Sequence, residues 1–131
     1  MSDPNAILLF LSYFGTAVLL FAAFLAAYTL ATQIKEWELI RSGNSAAALA
    51  LGGAMIGFAL PLASAINHSG GLADMVVTAA VALVVQLLSF AAMRLLRRDA
   101  SAALVKGDMA EGIFLASVSV VLGILNAACL G

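Results

Sequence analysis

Charge is what this sequence has least of: Asp, Glu, Lys and Arg make up 10% of its 131 residues, where a soluble domain carries about a quarter. Cysteine is limited to Cys129, which excludes an intrachain disulfide or a cysteine-rich metal cluster and leaves a small apolar residue. Histidine is limited to His68, with no second His or nearby Cys at metal spacing, so no metal site is expected. No carboxylate pair lies at mid-span, and there is no nucleophile with a base and no phosphate loop. Catalytic residues, cofactors and enzymatic activity are therefore not expected. A net charge of -1 gives no sign of a nucleic-acid partner. Met1 to Asn5 contains no Lys or Arg, so the basic region of a secretory signal is missing and the first helix is expected to persist in the mature protein.

Apolar residues, by contrast, reach 64% and mean hydropathy +1.12, which is bilayer composition. A bilayer core of roughly 30 Å needs about 20 apolar residues per helix. Four such runs are present, about Ala6 to Ala31, Ser45 to Ile66, Leu72 to Leu96 and Met109 to Leu130. Runs this long without two-residue alternation are helical, and only helices or closed barrels satisfy backbone polar groups in lipid. The expected fold is all-α: a polytopic membrane protein with four transmembrane helices, forming a single domain over 1–131. Asp3 before Pro4 reads as a helix start.

All six basic residues, Lys35, Arg41, Arg94, Arg97, Arg98 and Lys106, fall in or beside the first and third links. The positive-inside rule then places the links Thr32 to Asn44 and Arg97 to Asp108 in the cytoplasm. Both termini and the Asn67 to Gly71 turn face outward. Trp37 suits an interfacial anchor, with Arg94, Arg97 and Arg98 fixing topology and attracting anionic headgroups. Ile34, Trp37 and Ile40 are spaced for one face of a short helix, against Lys35, Glu38 and Arg41, a face that could also dock a cytoplasmic protein partner.

The second and fourth helices open alike. Arg41-Ser42-Gly43-Asn44-Ser45-Ala46 and Lys106-Gly107-Asp108-Met109-Ala110 share the order basic residue, glycine, Asn or Asp, alanine. This suggests two tandem hairpins, about 6–66 and 72–130, as a parallel repeat about the membrane normal. Gly43-Asn44-Ser45 through Leu51-Gly52-Gly53, Pro61-Leu62-Ala63-Ser64-Ala65-Ile66 and Gln86-Leu87-Leu88 form an ordered series of motifs. Gly107-Asp108, Gly112-Ile113-Phe114-Leu115-Ala116 and Leu125-Asn126-Ala127-Ala128-Cys129 continue it. Together they closely resemble the YjfL-like family, the domain of unknown function 350. The resemblance implies a small bacterial inner-membrane protein and brings no activity or catalytic residues with it.

The residues that could carry function are few. Gly53 and Gly57 form a GxxxG pair continued by Pro61, Ser64 and His68, a face suited to close helix packing inside one subunit or between subunits. Pro61 should free a carbonyl near Gly57. Gln86 is the most deeply placed strong hydrogen-bonding side chain, either interhelical glue or the lining of a solute path. Asn126, aligned with Gly112, Ser119 and Gly123, is expected to join Asn67, His68 and Pro61 in a polar cluster under the outer surface. Glu111 is the one carboxylate entering an apolar run, and Asp108 three residues before it makes a capping box the bland explanation.

Two functional classes follow: an oligomeric scaffold or accessory component, as a dimer or higher homo-oligomer, and a subunit of a minimal channel or carrier. The scaffold is preferred because no helix has a charge in its central part, where ion pathways usually keep one.

Overall fold

A computed structural model describes residues 4–32, 35–97 and 99–130. Every element among the described residues is helical: α1 (Pro4–Thr32), α2 (Glu36–Arg41), α3 (Ser45–His68), α4 (Leu72–Leu96), α5 (Ala100–Val105) and α6 (Met109–Leu130). The four long helices are long and apolar enough to cross a membrane. The third and fourth spans coincide with the apolar runs, and the second runs two residues further, to His68. Asp3, Ile34 and Arg98 lie outside the described residues.

The two charged links share one construction. Each holds a short helix, α2 or α5, that ends at a glycine in the left-handed region, Gly43 at φ 92° and Gly107 at φ 84°. Glycine accepts this φ without a Cβ penalty. After α2, the Gly43 N–H donates to Ile40 O at 3.0 Å and the Asn44 N–H to Leu39 O at 2.8 Å. After α5, the Gly107 N–H donates to Leu104 O and the Asp108 N–H to Ala103 O, both at 3.0 Å. These are paired Schellman closures. The last residue of each closure then caps the next long helix: Asn44 Oδ1 accepts from Ala47 N at 3.0 Å, and Asp108 Oδ1 from Glu111 N at 3.3 Å. Asn44 also donates to Leu104 O at 2.7 Å, tying the first link to the end of α5.

Because α3 and α6 both leave a charged link, they run in the same direction, with α1 and α4 opposed. Helices α3 and α6 form the central pair. Helix α4 packs against both, while α1 touches the bundle mainly through its second half. There Phe24 and Tyr28 enter an aromatic cluster with Phe58 of α3 and Phe90 of α4. Ring centroids are 4.6 Å apart for Phe24–Phe58 and 5.2 Å for Tyr28–Phe90.

Candidate functional site

The α3–α6 contact is built from residues with little or no side chain. A Cβ on Gly112 would lie 2.7 Å from Ala46 O, one on Gly53 2.6 Å from the Ala116 Cβ, and one on Gly123 2.7 Å from the Gly57 Cα. Small residues let helix backbones approach this closely in a membrane, where dispersion and polar contacts drive association. The Gly53 and Gly57 face is therefore filled by α6 of the same subunit. Pro61 lies inside α3 and lacks the N–H that would bond the Gly57 carbonyl. That carbonyl rests against the Gly123 Cα, where any Cβ would collide with it. The approach suits a Cα–H···O contact.

Beside this seam lies a buried pair of amides. Asn126 of α6 donates through Nδ2 to Gln86 Oε1 at 3.2 Å and to Ala82 O at 3.1 Å. Gln86 of α4 approaches Ser119 O through Nε2 at 3.4 Å. Helical side chains tilt toward the helix N-terminus. Since α4 and α6 are antiparallel, the two amides lean toward one another. Gly57 matters here too, since a Cβ on it would sit 3.1 Å from Gln86 Nε2. Among the described residues, no buried side-chain nitrogen or oxygen is left without a hydrogen-bond partner.

At the end of the bundle that carries the links, Arg97 grips Glu111 with two donors, Nε to Oε1 at 2.8 Å and a second to Oε2. Arg97 also stacks over the Phe114 ring, 4.7 Å from its centroid, a cation–π contact. The hydrogen bond to Glu111, and then its charge, raise the Arg97 pKa above its ordinary value. The capping-box reading of Glu111 is thus half right in geometry. Asp108 accepts from the Glu111 N–H, but the Glu111 carboxylate turns to Arg97, a stronger, charge-assisted partner. Arg94 donates to Ser101 Oγ at 2.7 Å and approaches the Tyr28 hydroxyl at 3.4 Å.

Residues 2–130 match the family described as Domain of Unknown Function (DUF350). Over 126 residues the chain is 36% identical to the UPF0719 inner membrane protein YjfL of Escherichia coli (strain K12), covering 96% of both chains. The chain belongs to the DUF350 family. This DUF350 protein is also 34% identical, over 92 residues and 69% of each chain, to the UPF0719 transmembrane protein YshE of Bacillus subtilis (strain 168). No solved structure matches it. The relatives and the four apolar helices together support a multi-pass inner-membrane protein.

The candidate polar residues fall in three separate places, and Asn126 does not join Asn67 and His68 under the outer surface. Gln86 and Asn126 meet in the interior. Asn67 and His68 are exposed at the end of α3, with His68 Nδ1 2.9 Å from Ser64 O in its own helix. Glu111 lies at the opposite end of α6 from Asn126, because 15 positions separate them in one helix. Trp37 is exposed, as an anchor in contact with lipid would be. Sequence reasoning missed Glu36, which is 3% exposed within α2, and the hydroxyl partners Tyr28 and Ser101. Short links rich in charge look solvated in one dimension, and the docking of α2 and α5 was not readable from periodicity.

Proposed function

We propose that this DUF350 protein is a non-conducting scaffold or accessory component of a membrane-associated system, self-associating and without catalysis of its own. The supporting observation is the amide pair. Gln86 and Asn126 direct their hydrogen bonds at each other and at backbone carbonyls, beside a seam closed by Gly53, Gly57 and Gly123. A solute path would need those groups facing water. The test is flux in reconstituted vesicles of the wild type and of Gln86→Leu. The expected outcome is no flux of common ions, water or small polar solutes in either. Measurable wild-type flux abolished by Gln86→Leu in a stable assembly would overturn the scaffold and establish the alternative, an oligomeric channel or carrier.

With the Gly53 and Gly57 face filled internally, we place the second copy on the outer groove between α3 and α6. This cleft of about 730 Å³ is lined by Ser45, Ala48, Gly52, Ile56, Ala116 and Ser117. Single cysteines at Gly52 and Ser117 in a Cys129→Ser background should cross-link between copies in membranes. In our reading the links are cytoplasmic, the termini and the Asn67 to Gly71 turn are outside, and α2 offers a face to a cytoplasmic protein. Reporter fusions at Gly131 and within Asn67 to Gly71 test this, and a cytoplasmic C-terminus would reverse it. The matching closures at Gly43 and Gly107 support our view of a duplicated hairpin.

A further inference from the structure

A cleft of about 440 Å³ opens between α1 and α4 at the end of the bundle that carries the charged links. Its volume is within the range of ligand clefts, about 300–1,000 Å³. The walls are apolar and low, with Ala27 and Ala31 one turn apart on α1 and Phe90 and Ala91 on α4. Larger side chains at the three alanines would seal the gap. Tyr28 and Arg94 also line it.

Arg94 is half-buried, and its contacts to Ser101 and Tyr28 hold the guanidinium at the cleft. A guanidinium has five N–H donors in a fixed fork that matches phosphate oxygens. The arrangement pairs a cation and a phenol with an apolar slot entering the membrane span. A phospholipid has the same order, a phosphate above an acyl chain, and basic pockets between transmembrane helices favour anionic headgroups. Arg97 is committed to Glu111 and contributes less. Glu36 and Glu111 are the anions on neighbouring elements that compete for the cation of the cleft.

We propose that the α1–α4 cleft binds one anionic phospholipid, its phosphate at Arg94 and Tyr28 and an acyl chain along Ala27, Ala31 and Ala91. This site is independent of the scaffold reading and holds for a channel as well.

Native mass spectrometry of the detergent-purified protein with added phosphatidylglycerol or phosphatidylcholine tests it. The wild type should retain one phosphatidylglycerol with about fivefold preference over phosphatidylcholine. Arg94→Gln should bring the preference to within about twofold. Ala31→Leu, which fills the slot and leaves every charge in place, should weaken retention of the lipid to the same extent. Glu36→Gln should tighten it. Lys106→Gln removes a cation outside the cleft and should leave the preference intact. Equal retention of both lipids by the wild type, unchanged binding in Ala31→Leu, or equal loss in Lys106→Gln would overturn the site. Displacement of the lipid by millimolar inorganic phosphate would overturn the lipid as its occupant.

Discussion

Helix α1 and the α3–α6 pair are comparably apolar, yet they stand in the membrane on different terms. In its most apolar stretch α1 is 6% buried, against 50% for α3. Leu8, Leu11, Phe14 and Leu19 of α1 are all more than half exposed. The α3–α6 pair instead meets through Gly53, Gly57, Gly112, Ala116 and Gly123, where backbone approaches backbone. Hydropathy decides that a helix enters the bilayer. Side-chain size decides whether it then faces lipid or another helix, because lipid tails are as apolar as leucine and give no hydrophobic reason to pack.

The comparison breaks most completely at Gly57 and Gly123, where backbone meets backbone and neither helix can yield by a rotamer change. Gly57→Ala with Gly123→Ala should abolish the native fold, and each alone should lower unfolding free energy by about 3 kcal/mol, the top of the usual overpacking range. Denaturant titration in detergent measures this, and near-wild-type midpoints would show that the seam can open at little cost.

The next effect lies within α1 itself. Phe24→Ala removes a fully buried ring stacked on Phe58 and should cost about 3 kcal/mol, while Phe14→Ala, facing lipid, should stay within about 0.5 kcal/mol. Equal losses would mean that the first half of α1 is covered after all, by a second copy if the loss depends on protein concentration.

A smaller effect is expected where α4 meets the seam. A double-mutant cycle of Gln86→Leu and Asn126→Leu should return a coupling of about 0.6 kcal/mol, the average for hydrogen bonds between membrane helices, and at most about 1.7 kcal/mol. A coupling near zero would mean that the two amides are held independently by Ala82 and Ser119 carbonyls.

The smallest effect has the opposite sign. A Cβ on Gly52 meets nothing within 4 Å, whereas on the adjacent Gly53 it strikes Ala116. Gly52→Ala should therefore stabilise the subunit by about 0.5 kcal/mol through the unfolded chain, and Gly53→Ala should destabilise it. Thermal shift assays of the two variants place the boundary between the internal seam and the outer groove at one residue.

Much of this was legible without coordinates. Four helices, their limits to within about two residues and the all-α class follow from run length and apolar content, since a polar backbone in lipid has no other solution. The Asp108 cap was also visible, because capping is local and involves residues a few positions apart, and the glycines that close α2 and α5 showed only as part of a repeated order of residues. The family resemblance rested on the same short motifs.

The partners of those motifs were decided only by the tertiary structure. Gly53 and Gly57 announce a close contact and do not say with which helix; α6 of the same chain supplies it, 63 positions further on in the case of Gly53 and Ala116. Gln86 and Asn126 announce buried amides and do not say that they meet each other. Glu111 looked complete as part of a capping box until Arg97, 14 positions earlier, was brought within reach by the turn through α5. Local signals depend on backbone geometry that the chain carries everywhere, so sequence alone determined the four long helices and their ends. Contacts between elements depend on which faces the bundle brings together, and that is a property of all four helices at once.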